Sequence, residues 1–121
     1  GTTDSLSCLH AIEHFGLGRY SDPIDVNGHI KGLINLIKLV EKGGTLYLSC
    51  PVAKKEKICF NAHRIFDPIK ILEIKCVKDN LLLESFDFID DRGNLLKNIN
   101  PQDINSLTEY GCGIFSFIKK I

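Results

Sequence analysis

The chain is built from short apolar runs separated by clusters of turn-forming residues, and the period of the apolar positions changes from run to run. Ser5-Leu-Ser-Cys-Leu-His-Ala-Ile-Glu-His14 opens with an apolar stretch over Leu6 to Leu9 that reads as a strand, although period alone does not fix the type of so short a run. From Phe15 to Gly28 the residues Gly16, Gly18, Asp22, Pro23, Asp25, Asn27 and Gly28 supply turn chemistry throughout and predict a long loop. Ile30, Leu33, Ile34, Ile37 and Val40 then recur at helical spacing. Leu36 and Leu39 widen that apolar face, and Gly43 and Gly44 stop the helix.

Thr45 to Val52 is again apolar and rich in β-formers, with Pro51 near its end. A strand, a helix and a second strand with such short connections predict a right-handed βαβ unit with parallel strands. Asp67 to Cys76 reads as a helix, with Pro68 in its first turn and Ile69, Leu72 and Ile74 or Cys76 facing inward. Leu81 to Ile89 and Gly113 to Ile118 read as strands, separated by a polar segment that contains Asp90, Asp91, Gly93, Asn94, Asn100 and Pro101. No internal repeat or low-complexity tract interrupts residues 1–121, which read as a single α/β domain.

Composition adds constraints on partners. The chain is 44% hydrophobic and 25% charged, with 15 basic and 15 acidic residues, so it offers no electrostatic reason to expect nucleic acid or an anionic membrane. A small molecule or another protein is the expected partner. No apolar run approaches the roughly 18 residues that cross a bilayer, and no basic-then-apolar leader opens the chain, so a cytoplasmic protein is expected. The five cysteines, Cys8, Cys50, Cys59, Cys76 and Cys112, are odd in number, widely spaced and without a Cys-x-x-Cys pair. Reduced, mostly buried thiols are therefore expected, with nucleophilic roles for Cys50 or Cys59 disfavoured. The first residue is Gly1 rather than methionine, which leads us to expect native sequence upstream.

A strand ending in Ile12-Glu13-His14, a helix ending in Gly43-Gly44 and a strand ending in Pro51 resemble the second half of class I S-adenosylmethionine-dependent methyltransferases. Within that group, Glu13-His-Phe-Gly-Leu-Gly-Arg-Tyr-Ser-Asp-Pro23 and Phe60-Asn-Ala-His-Arg-Ile65 resemble the methyltransferase-like domain-of-unknown-function family 268. The similarity covers roughly Asp4 to Ile74. It implies a partial Rossmann-like sheet, in which the Leu6 strand is the fourth of the parent sheet, Thr45 to Cys50 the fifth, and the last two strands a terminal antiparallel pair.

The resemblance also implies what this chain lacks. The parent fold holds its cofactor with a glycine-rich turn after the first strand and an acidic ribose-binding residue after the second. Gly16-Leu-Gly18 is no substitute, because it follows the Glu-His block and no G-x-G-x-x-G completes it. Methyl transfer depends on holding the sulfonium donor in line with its acceptor, so S-adenosylmethionine is expected to bind the full-length parent and not, tightly, this chain, which is expected to be inactive alone. A sheet cut at the Leu6 strand exposes an edge, and a homodimer or higher oligomer through that edge is expected. The alternative is a non-catalytic module for oligomerisation or substrate recognition.

Candidate site residues cluster at two strand ends. Glu13 and His14 fall at the carboxyl end of an expected parallel strand, where open α/β sheets bind ligands, which makes Glu13 the cofactor-binding candidate and His14 a catalytic one, with a structural role for both as the equal alternative. Arg19, Tyr20 and Asp22 follow in the loop and suit an anionic or hydroxylated substrate, unless an Arg-Asp pair and a packed tyrosine merely hold the loop together. Asn61, His63 and Arg64 approach from the second strand: His63 as general base, Arg64 as a clamp on carboxylate or phosphate, and Asn61 as a further substrate contact, with capping or buried hydrogen bonding as the plain alternative. His10 reads as a strand residue and His29 as a solvated one near the helix start. His10-Ala-Ile-Glu13-His14 also matches the H-x-x-E-H zinc pattern, but that pattern needs a helix where a strand is expected, so no metal site is assigned.

Overall fold

A computed structural model of the protein describes residues 2–9, 28–59, 63–104 and 108–121. The elements in chain order are β1 (Thr3–Leu9), α1 (Gly28–Leu39), β2 (Val40–Val52), β3 (Lys57–Cys59), β4 (His63–Ile65), α2 (Pro68–Glu73), α3 (Lys75–Asn80), β5 (Leu81–Ile89), β6 (Leu95–Leu96) and β7 (Gly111–Lys119). The fold is α/β, with a mixed five-stranded sheet in the order β1-β2-β7-β5-β6 and a separate β3-β4 pair.

β1 and β2 are parallel, in register from Leu6 opposite Leu46 to Leu9 opposite Ser49, with α1 as the crossover between them. β7 lies between β2 and β5 and runs antiparallel to both, so β5 points the same way as β2. The expected helix is α1, whose Leu33 and Ile37 are buried at the spacing that one helical face requires. Its carboxyl end is capped from across the fold. Lys119 Nζ donates to the carbonyls of Ile37 and Val40, both at 2.8 Å, placing a cation where the last helical carbonyls have no amide partner.

The Gly43-Gly44 pair does not stop the helix: α1 ends at Leu39, and Val40, expected on the helical face, already belongs to β2. β2 begins at Val40, and the register with β1 shifts between Thr3 and Ser5 as the strand passes through the two glycines. Gly43 has φ +82°, and a Cβ on Gly44 would stand 2.9 Å from the carbonyl oxygens of Asp4 and Glu41. The pair therefore forms an irregularity inside the strand, where only glycine fits both the dihedral and the approach of β1.

The helix expected over Asp67 to Cys76 is two short helices. Asp67 caps α2 by accepting from the Ile69 N–H at 3.0 Å, and Pro68 stands at the first helical position, where its missing N–H costs nothing. Ile74 then leaves helical geometry (φ −59°, ψ 131°), ends α2 and starts α3. The break resets the helical period, so Pro68, Ile71 and Val77 are the buried residues while Ile69, Leu72, Ile74 and Cys76 are only half-buried.

The core lies against the sheet face that carries Leu46, Leu48, Cys50 and Val52 of β2, Phe115 and Phe117 of β7, and Phe86 and Phe88 of β5. Phe86 and Phe115 are cross-strand partners with ring centroids 4.9 Å apart and tilted by 54°, and Phe115 stacks on Phe117 at 5.6 Å. Burying each of these rings contributes about 1.5 to 3 kcal/mol. On the opposite face Tyr47 and Leu82 are exposed. β1 is an edge strand, with Leu9 exposed and Asp4, Ser5 and Ser7 exposed beside it. Among the described residues no helix is long and apolar enough to cross a membrane.

Candidate functional site

The carboxyl ends of β1 and β2 lie side by side, and the residues that gather at the β2 end come from three separate parts of the sequence. After β2 the chain runs through β3 and β4, which pair Lys57 with Ile65, Ile58 with Arg64 and Cys59 with His63. It then returns to the strand it left. Phe66 bridges Val52 in parallel fashion, its N–H donating to the Pro51 carbonyl at 3.0 Å and its own carbonyl accepting from the Ala53 N–H at 2.8 Å. These two backbone bonds fix Phe66, and with it Arg64 and Ile65, beside the end of β2.

The first turn of α1 meets this segment through His29. Its imidazole lies with its centroid 5.4 Å from that of Phe66, tilted by 50°. The ring is half-buried, and its buried Nδ1 finds no hydrogen-bond partner among the described residues. Arg64, only 6% exposed, contributes the second feature of the cluster, a positive charge inside the protein. Burial first, and the Arg64 charge second, lower the His29 pKa to about 4. At neutral pH His29 is therefore an uncharged imidazole, able to donate or accept one hydrogen bond through Nδ1 depending on tautomer.

This arrangement corrects one expectation and leaves others outside its reach. His29 is not a solvated residue: the contact with Phe66 and the removal of Nδ1 from solvent make it part of the cluster. Its signal in the sequence is its place immediately after a run of turn-forming residues and at the first turn of the apolar-periodic helix. Arg64 stands in β4 opposite Ile58 and is buried, and the backbone of His63 opens β4 opposite Cys59. His10, Glu13, His14, Arg19, Tyr20, Asp22 and Asn61 lie outside the described residues. Cys8 and Cys50 are buried in the core, and burial pushes the Cys76 thiol pKa up. Among the described residues no three His, Cys, Asp or Glu side chains converge as metal ligands would.

As a chemical device the cluster combines a buried guanidinium, a neutral imidazole with an open nitrogen and an aromatic wall. The imidazole nitrogen can donate or accept a hydrogen bond according to tautomer. A histidine titrating near 4 is a weak base at neutral pH, so His29 is better suited to hydrogen bonding than to proton abstraction. No curated protein matches the chain. Residues 1–109 do match a family model described as Caenorhabditis protein of unknown function, DUF268, and the chain belongs to that family.

Proposed function

We propose that this chain forms the acceptor-side half of a methyltransferase-like, Rossmann-type domain, binding a small polar or anionic acceptor at the carboxyl ends of β1 and β2. The observation that carries the reading is His29, uncharged and with an open Nδ1, set beside the buried Arg64 charge at the end of a parallel strand. The sheet supports it: a parallel β1–β2 pair followed by the antiparallel β5 and β7 has the form expected of the parent's fourth and fifth strands and its terminal pair. Arg19, Tyr20, Asp22, Asn61 and Arg64 are the proposed acceptor contacts, with His14 and His63 as the proposed catalytic groups and Glu13 as the proposed cofactor-binding residue.

S-adenosylmethionine does not fit the described residues. Among the described residues the glycines with positive φ are Gly43, inside β2, and Gly93, in the turn after β5; neither opens a helix after a strand, so neither offers a row of amides to the donor. The weak basicity of His29 also favours a second reading, a recognition module without catalysis. Calorimetric titration of S-adenosylmethionine and S-adenosylhomocysteine into this chain and into any longer native form separates the two. Binding by a longer form alone supports the methyltransferase-like reading, and binding by neither moves the assignment to the recognition module.

A further inference from the structure

A concave site elsewhere on the chain shares no residue with the cluster of His29, Arg64 and Phe66. Between α2, α3, β5 and the segment 98–102 is a cleft of about 630 Å³, within the roughly 300 to 1,000 Å³ of small-molecule sites. Its floor is apolar, made by the half-buried Ile69, Leu72, Leu83 and Ile99.

The wall formed by residues 98–102 is fixed before any ligand arrives. The Asn98 N–H donates to Asp87 Oδ1 at 2.9 Å, the Ile99 N–H to the Phe86 carbonyl at 3.0 Å, and Asn100 Oδ1 accepts from the Gln102 N–H at 3.0 Å. Lys54 Nζ donates to the Gln102 carbonyl. These bonds consume backbone groups and leave the side-chain amides of Asn98 and Gln102 on the cleft. A wall ordered in advance loses little entropy on binding.

The helical rim carries one charge of each sign. Glu73 ends α2 and Lys78 lies in α3, and both line the cleft. Neither side chain makes a hydrogen bond or ion pair with a described residue, in contrast to Lys75 and Asp79 on α3, which pair at 2.9 Å. The cleft thus presents an open carboxylate, an open ammonium, two side-chain amides and an apolar floor.

We propose that this cleft binds a short zwitterionic peptide with apolar side chains. Its amino terminus meets Glu73, its carboxylate meets Lys78, its peptide groups meet the amides of Asn98 and Gln102, and its side chains cover Ile69, Leu72, Leu83 and Ile99. A ligand of single charge would leave one of the two rim charges unmatched, whereas a zwitterion matches both.

The test uses leucyl-leucine as probe and its N-acetylated, C-amidated analogue as control, each titrated into the isotope-labelled 121-residue chain and followed by amide chemical shifts. Leucyl-leucine is expected to shift the amides of Leu83, Asn98 and Ile99 saturably. The neutral analogue, which lacks both charges, is expected to bind about tenfold more weakly, the scale of two lost charge-assisted contacts at exposed positions. Glu73→Gln and Lys78→Met, both at exposed positions and each removing one of those contacts, should each weaken leucyl-leucine by about threefold while the melting transition is kept. The absence of saturable shifts, equal binding of the neutral analogue, or shifts confined to residues around His29 would each overturn the proposal. The comparison of two ligands on the unaltered chain decides the matter even where a variant fails to fold.

Discussion

Lowering the pH should destabilise the fold through His29, in a window set by two numbers. In the unfolded chain its imidazole takes up a proton below about 6.5, while in the folded protein it does so only near 4. Between those values the unfolded state binds more protons, so stability falls as the pH is lowered from about 6.5 to 4 and is flat with respect to this group above that window. A shift of 2.5 pH units corresponds to about 3.4 kcal/mol at most, at roughly 1.36 kcal/mol per unit. The ring is only half-buried and solvent screens it, which reduces the expected loss to about 1 to 2 kcal/mol. Urea denaturation of the unaltered chain and of His29→Gln at pH 7.5, 6, 5 and 4.5 isolates the effect, because carboxylates common to both proteins cancel in the difference. Asp90 is one of these: the Asn94 N–H foremost holds its carboxyl below the usual range, so its contribution is lost at lower pH still. The unaltered chain should lose stability relative to the variant as the pH drops. Arg64→Met should raise the His29 pKa only partway, since burial outranks the Arg64 charge. Parallel pH profiles for the unaltered chain and His29→Gln, or a return of the imidazole pKa to about 6.5 on removing Arg64 alone, would refute the reasoning.

Three other outcomes follow from the fold. Lys119→Met removes the cation that caps α1 and leaves the Ile37 and Val40 carbonyls without it, at a cost of about 1 to 2 kcal/mol in urea denaturation; an unchanged midpoint would show that water replaces the ammonium without loss. Gly44→Ala forces a methyl to within 2.9 Å of two backbone oxygens and should cost about 1 to 3 kcal/mol, more than an alanine at the exposed turn glycine Gly93, which meets nothing within 4 Å but has φ +83°. The exposed β1 edge should support self-association visible by sedimentation at tens of micromolar (~ the range in which modest interfaces form), weakened by Leu9→Lys; a monodisperse monomer before mutation would count against it.

Four strands of the sheet and α1 were legible in the sequence because each announces itself by local chemistry, whereas the two-residue β6 lies in a stretch that reads as polar and the β3-β4 pair is too short to show a period. Leu33 and Ile37 recur at helical spacing, and β5 and β7 place Phe86, Phe88, Phe115 and Phe117 at alternate positions, the one pattern that sends large side chains to a single face of a sheet. Element boundaries were less legible where backbone geometry overrode composition. Gly43-Gly44 reads as a helix stop by residue type, yet the approach of Asp4 in β1 carries the strand through it. Asp67 to Cys76 reads as one helix because nothing in Ile74 itself marks a break, yet its extended ψ separates α2 from α3 and leaves Ile71 and Val77, on either side of it, both in the core.

The site shows a different division. Arg64 could be singled out from the sequence because a guanidinium shortly after a strand end is chemically conspicuous, whereas His29 could not, because its behaviour comes from neighbours remote in the chain. Phe66 is brought to it by the two backbone bonds at Pro51 and Ala53, and its altered basicity needs both the burial that results and the charge of Arg64. Residue type supplies the candidate groups, but a pKa is a property of the environment, and here that environment exists only once Phe66 has paired with the end of β2. The same dependence ties site to stability. A substitution that breaks the Val52–Phe66 bridge should release His29 toward ordinary titration without touching the imidazole, so the ring's own pKa serves as a gauge of whether the strand-end crevice is assembled.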